Sequence, residues 1–323
     1  MKNAQYVGSL RQGGGNVIVL LRRTQTSVLV ALAAAMACLG LSTPGAMAVP
    51  AAQPYGLYQS PNNLNYTIGT SSEYAGAIQY YGWNEGVQSS EVSVLPSSVT
   101  PFLELQTCGN PCNSSTSVNL SSVIAGDSDP YLANFASSIA SLGRKLYLTF
   151  DHEQNGSWYP WDWYSGNTQF TSQAQQESEW IQAWNHVTGV IDQNATAKRL
   201  ITWVWAPNIE QGGSAVANYW SNRAGTVANV GMVGLDGYYA NTGTTWSNRF
   251  ASSYADVENA SGALPFMVSE TGIPPGDSNA TSQEENLISG AESVGAKVVF
   301  YFDAGSYVMT SAMQTAWLAG AAS

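Results

Sequence analysis

Basic side chains are scarce in this chain. Eleven Lys and Arg stand among 323 residues, against 22 Asp and Glu, and the formal net charge is -11. Binding to nucleic acid or to an anionic membrane surface relies on clustered Lys and Arg, so neither partner is expected. Histidine is scarcer still, with two residues in all, and cysteine numbers three. That leaves little for a metal centre, and none is expected. Several motifs are absent. No G-x-S-x-G elbow, no G-x-x-x-x-G-K phosphate loop and no dinucleotide fingerprint occurs. His152-Glu153 begins like a zinc-protease helix, but Gly156 stands where the second histidine belongs. No cofactor is therefore expected. Disorder is excluded by what is plentiful, since 44% of residues are hydrophobic and 11% aromatic.

The few basic residues are unevenly placed. Residues 1–48 hold Lys2, Arg11, Arg22 and Arg23 and no acid. Arg22-Arg23 precedes an apolar run from Ser27 to Leu41, and Ala46-Met47-Ala48 follows. A basic stretch, a short apolar core and an A-x-A site predict a secretory signal peptide cleaved near Ala48, hence a secreted protein without stable membrane insertion. The run of 15 residues falls short of the roughly 20 that span a bilayer. An uncleaved anchor, or a lipoprotein modified at Cys38, is the alternative. Export places the remaining pair, Cys108 and Cys112 of CGNPC, in oxidising surroundings, where a small disulfide loop is expected.

Residues 49–323 contain no linker, repeat or low-complexity tract and read as one domain, expected to be a monomer. Eight β-prone runs lie near Tyr55–Tyr58, Ala77–Trp83, Pro101–Thr107, Lys145–Phe150, Leu200–Ala206, Val230–Tyr238, Pro265–Glu270 and Lys297–Phe302. Most are continuously apolar, as parallel strands buried on both faces are. Helical segments alternate with them. One runs from Pro130 to Leu142, with Asp129 as N-cap and Gly143 as its stop. A longer one runs from about Ser172 to Ile191, with Trp180, Trp184, Val187 and Ile191 on a core-facing side and His186 in a structural role. A third opens on a Thr281–Glu284 capping box. The pattern predicts an α/β fold, a (β/α)8 barrel, with a doubly wound open sheet as the alternative.

Two of the runs end in glutamate. The fourth leads into Asp151-His152-Glu153 and the seventh into Ser269-Glu270. Barrel enzymes carry their reactive groups where strands run out. A pair of carboxyls, one protonated and one ionised, suits cleavage of a glycosidic bond. The stretch after Glu153 adds Trp158, Tyr159, Trp161, Trp163 and Tyr164. Such flat apolar faces fit the C–H faces of pyranose rings, so Trp161 and Trp163 join Trp158 as candidate binding residues.

Five stretches then resemble one family in order along the chain. HEQNGSWYPW (152–161), WVWAPN (203–208), VGLDGYY (233–239), VSETG (268–272) and FYFDAGS (300–306) are similar to the strand motifs of glycoside hydrolase family 26, known for secreted endo-β-1,4-mannanases. The resemblance implies a (β/α)8 barrel and a retaining double displacement. Glu153 would be the acid/base and Glu270 the nucleophile. Tyr238 would hydrogen-bond that nucleophile, His152 and Trp158 would line the subsites beside the scissile bond, and Trp205 and Asn208 the cleft wall. The two carboxyls would lie about 5–5.5 Å apart. The chain departs from the pattern at Gln154, at Thr149-Phe150-Asp151, and in the third strand, Phe102–Thr107, which has no histidine. The expected partner is a β-linked polysaccharide, β-mannan first. Mixed-linkage β-glucan and β-1,3-xylan are the alternatives within the family, and a non-catalytic carbohydrate-binding barrel the alternative outside it.

Overall fold

The computed structural model describes residues 55–59, 76–87, 89–93, 95–109, 112–210, 215–262 and 264–320. The leader expected at residues 1–48 lies outside them. Eight strand positions follow the chain: β1 Tyr55–Gln59, β2 Gly76–Tyr81, β3 Thr100–Leu105, β4 Leu146–Phe150, β5 Ile201–Trp205, β6 in two halves Val230–Val233 and Asp236–Tyr238, β7 Val268–Gly272 and β8 Val299–Asp303. All pair in parallel. The first half of β6 pairs with β5 and the second with β7, while β8 pairs with β1.

The sheet therefore closes on itself through β6. Gly234 and Leu235 interrupt its regular pairing yet keep both neighbours: Gly234 N donates to Trp205 O at 2.7 Å, and Ser269 N donates to Leu235 O at 3.3 Å. A side chain at Gly234 would overlap Ser269, so the absence of a Cβ is what lets β6 and β7 approach here.

Alternation along the strands sorts apolar residues into two layers. Ile78, Phe102, Val204, Met232, Met267 and Phe300 fill the barrel interior. Leu103, Leu148, Trp203, Trp205, Val268 and Tyr301 face outward into the larger core beneath the helices. Interior strands thus have no wet face, which is why they read as unbroken apolar runs.

The longer helices are α1 Asp129–Leu142, α2 Gln173–Ile191, α3 Ala251–Ser261, α4 Ala280–Ser293 and α5 Ser311–Gly320. Gly143 ends α1 in the left-handed conformation, φ 63°. Its N-cap is Ser128, not Asp129. The Asp129 carboxylate lies in the first turn and meets His186 Nε2 of α2 at 2.6 Å, tying the two helices together. Helix α2 is capped by Ser172, whose side chain accepts from Gln175 N, and it buries Trp180, Trp184, Val187 and Ile191. The Thr281–Glu284 box does not form. Asn279 is the N-cap, two residues earlier, and Glu284 lies on the inner face with Leu287 and Ile288. No helix among the described residues is long and apolar enough to cross a membrane. Cys108 and Cys112 are joined by a disulfide in the loop after β3.

Candidate active site

Beyond Phe150 the chain leaves β4 through two non-glycine residues in the left-handed region, Asp151 at φ 44° and Glu153 at φ 53°. Each costs on the order of 1 kcal/mol or more and must be held by its surroundings. Asp151 accepts from Thr107 N and Thr107 Oγ1, both at 2.7 Å. Trp180 Nε1 donates to Asp151 O at 3.1 Å, and Trp161 Nε1 to His152 O at 2.9 Å. Glu153 N donates to Ala206 O at 2.8 Å, fastening the turn to the end of β5. A regular strand would send successive residues to opposite faces. This twisted exit brings His152 and Glu153 to the same cavity.

Both oxygens of Glu153 accept hydrogen bonds, Oε2 from Trp158 Nε1 at 2.7 Å and Oε1 from Asn208 Nδ2. Asn208 is itself held by Asn155. Asn155 Nδ2 donates to Asn208 O at 2.7 Å, and Asn208 N donates to Asn155 Oδ1 at 2.8 Å. The loop that carries Trp158 is pinned by Asp162, whose Oδ2 accepts from the backbone N–H groups of Trp158 and Tyr159 at 2.9 Å each. A Cβ at Gly156 would come within 2.7 Å of the Trp158 ring and 2.9 Å of Asp162 Oδ2. Glycine there is a condition for the indole to reach Glu153.

Glu270, near the end of β7, accepts from Tyr238 at Oε1 and from Tyr80 of β2 at Oε2. Aromatic rings surround it: Tyr238 lies 4.5 Å from Tyr307, and Tyr80 lies 6.4 Å from Phe302 and 5.8 Å from His152. His152 is enclosed, with Nδ1 2.9 Å from Glu104 Oε2 of β3 and Nε2 3.1 Å from the Tyr159 hydroxyl. Ser269 donates to Asp236 Oδ1, a buried carboxyl in the second half of β6.

Burial dominates the electrostatics. It raises Glu153, against the pull of His152 and the hydrogen bonds from Trp158 and Asn208. It raises Glu270 well above the ordinary carboxyl range, with Glu104 and Glu153 adding repulsion and His152 and Tyr80 opposing. Asp236 is likewise raised well above its usual value by burial and then by Glu270. Burial alone would lower His152, but Glu104, then Glu153 and Asp236, outweigh it and hold the imidazole well above its usual value. So many carboxyls cannot all ionise together, and the site retains protons near neutrality. Glu104, His152 and Glu270 form the one group among the described residues with three possible metal-ligand atoms within 4.8 Å of one another. Those atoms already have company: His152 faces Glu104, and Glu270 takes two tyrosine hydroxyls. A separate cavity of about 400 Å³ lies against Tyr254, Leu264 and Phe266, before β7 begins and away from these carboxyls.

No protein-family model matches the chain. Endoglucanase H of Acetivibrio thermocellus is 25% identical over 127 residues, which are 39% of this chain and 13% of that protein's length. Among solved structures, the family 26 domain of an endo-β-mannanase/endo-β-glucanase from Prevotella bryantii superposes with a TM-score of 0.53 at 14% identity, covering 76% of this chain and 80% of that one. A modular family 26 endo-β-1,4-mannanase from Cellulomonas fimi superposes at 0.58 with 13% identity, covering 84% and 71%. The chain has the (β/α)8 barrel fold of these glycosidases.

Within that barrel, the residues read from the sequence divide. Glu153, Glu270, His152, Trp158, Asn208 and Tyr238 converge at the C-terminal ends of the strands. Trp158 is the one exposed large apolar side chain among the described residues, at 39% exposure. Two other expectations, Trp161 and Trp205, are corrected. Trp161 is fully buried, stacked on Tyr159 at 4.5 Å, with its indole N–H spent on His152 O. Trp163 is half-buried against the core. Trp205 is fully buried on the outward face of β5, edge-on to Trp220 at 5.1 Å. Its neighbours in the alternation, Val204 and Ala206, are the inward ones. Trp161 and Trp205 support the site from behind and offer no face to a sugar, whereas Trp163 keeps part of its surface accessible.

Tyr80, Glu104, Asn155, Asp162 and Asp236 were not singled out from the sequence. Glu104 and Asp236 had a readable signal, since each is an acid within a strand otherwise predicted to be buried. Tyr80 had none, because an aromatic in a strand is ordinary core.

Proposed function

We propose that the protein is a secreted retaining endo-β-glycanase acting on β-mannan-type polysaccharide. The observation that supports it most is the pair of buried carboxyls at the ends of β4 and β7, each hydrogen-bonded at both oxygens, with Glu153 helping to raise Glu270. In this reading Glu153 gives its proton to the glycosidic oxygen as Glu270 attacks the anomeric carbon, and the bond to the leaving sugar breaks. A glycosyl ester on Glu270 remains. Glu153, now a carboxylate, takes a proton from water, and that water displaces Glu270. Two inversions give net retention. Trp158 would cover a sugar beside the scissile bond while its N–H steadies Glu153. The tyrosine hydroxyls on Glu270 would favour its ionised form between turnovers.

A second substrate, mixed-linkage β-glucan, is supported by the local likeness to an endoglucanase. Product analysis by mass spectrometry, after incubation with mannan, lichenan, xylan and cellulose, tests both. Oligomers of mannose are expected, and mixed-linked glucose oligomers mark the second reading. A folded protein that binds oligosaccharides calorimetrically but releases no product from any of the four would overturn catalysis and leave a binding barrel.

A further inference from the structure

Glu104 is an acid in the apolar run of β3. It follows Phe102 on the face that lines the barrel interior, and it is fully buried. Its Oε2 lies 2.9 Å from His152 Nδ1, and its Oε1 has no hydrogen-bond partner among the described residues. The contact is not aligned as a linear hydrogen bond, so charge on charge is its main content. A carboxylate removed from water needs a compensating cation. The groups around this imidazole are Glu104 from β3, Tyr80 from β2, Asp151, Glu153, Tyr159 and Asp162 from its own loop, Asp236 from β6 and Glu270 from β7. None of these is a Lys or Arg, so His152 is the one group here able to carry positive charge.

We propose that Glu104 is a positioning residue: its ion pair holds His152 as an imidazolium, and that cation is the counter-charge that lets the reactive carboxyl pair, Glu153 and Glu270, carry one negative charge. The catalytic half of the statement rests on the glycosidase reading. The charge of His152 does not.

Removing the charge with Glu104→Gln keeps the shape and frees the imidazole to lose its proton. Below that new midpoint the reactive carboxyls feel a cation no longer offset by Glu104, so the acid limb of the pH–rate profile moves down. Above it the cation is lost and the pair no longer readily carries its negative charge, so activity falls at the alkaline end. The expected result is a profile in kcat/KM displaced toward acid by about one unit, with about tenfold or greater loss at the alkaline end and less at the acid end. Glu104→Asp keeps the charge and should keep the profile in place even where turnover falls. The chain has two histidines, so long-range proton–nitrogen NMR reads His152 directly. The wild type should hold imidazolium shifts well above the ordinary histidine range, and Glu104→Gln should titrate at least about one unit lower than wild type. A neutral His152 in the wild type at pH 7 would overturn the proposal, and that measurement needs no variant. An unmoved profile in a variant whose His152 does titrate lower would overturn its catalytic half. Wild-type protein without activity on any β-glycan, but with the expected NMR result, would sink the glycosidase reading and leave the ion pair standing.

Discussion

A glutamate seldom adopts the left-handed backbone found at Glu153, and Asp151 two residues earlier shares it. The surroundings that hold this turn are side chains from distant elements: Thr107 after β3, Trp180 on α2, Trp161 in the following loop. At the scale of single residues the site is thus a set of small obligations, and each is testable. Glu153→Gln and Glu270→Gln should each lower turnover by about three orders of magnitude or more while thermal stability stays level or rises, because both carboxyls are buried at a cost. Full turnover in Glu270→Gln would remove it from the nucleophile role. Gly156→Ala pushes a methyl group into the Trp158 ring. Displacing that indole breaks its hydrogen bond to Glu153, and kcat should fall about ten- to hundredfold. Unchanged kcat would show that Trp158 is not needed for the chemistry. The sequence exposed the two glutamates because an acid at the end of an apolar run is conspicuous. It did not separate Trp158 from Trp161 and Trp205. That difference lies in which way each indole turns, and hydrogen bonds to His152 O and contact with Trp220 decide it.

At the scale of elements, β8 and α4 share a buried acid pair outside the reactive site. Glu284 of α4 is pushed up to about 9, by burial first, then by Asp303 of β8 and by Glu285. Asp303 is committed elsewhere, accepting from Met309 N at 2.6 Å. In the unfolded chain Glu284 ionises near the ordinary carboxyl value of 4.5, whereas in the folded chain it holds its proton to about 9. Between those values rising pH therefore favours the unfolded chain. Glu284→Gln removes this dependence. The variant and wild type should melt together at about pH 4, and the variant should be more stable by at least about 1–2 kcal/mol at pH 8, several degrees for a domain of this size. An equal difference at both pH values would show that Glu284 is ionised in the folded protein. The same helix shows why element ends were less legible than element centres. Thr281 and Glu284 have capping-box spacing, but the apolar face needs Glu284 inward beside Leu287 and Ile288, and packing outweighs a cap of about 1 kcal/mol. The eight strands were legible throughout, since apolar residues on both faces leave few other readings.

At the scale of the molecule, the barrel depends on one irregular strand. β6 hands its pairing from β5 to β7 across Gly234 and Leu235, and only then do the ends of β4 and β7 open onto one groove. The sequence marked 230–238 as a single run. The break was not visible, because it depends on Ser269 filling the space that a Cβ at Gly234 would need. Closure unites residues that lie far apart in the chain: Tyr80 of β2, Glu104 of β3, His152 and Glu153 after β4, Tyr238 of β6 and Glu270 of β7. The central claim is that two of these divide the labour, one donating a proton and one attacking carbon.

Azide rescue tests that division most directly. An aryl β-glycoside of the sugar identified by product analysis is turned over by Glu153→Ala and Glu270→Ala, each with and without sodium azide. In Glu153→Ala the glycosyl ester still forms, azide intercepts it, and the product should be the β-glycosyl azide. In Glu270→Ala azide takes the place of the missing nucleophile, and the product should be the α-glycosyl azide. The reverse stereochemistry, or rescue of neither variant alongside an active wild type, would contradict the roles given to Glu153 and Glu270.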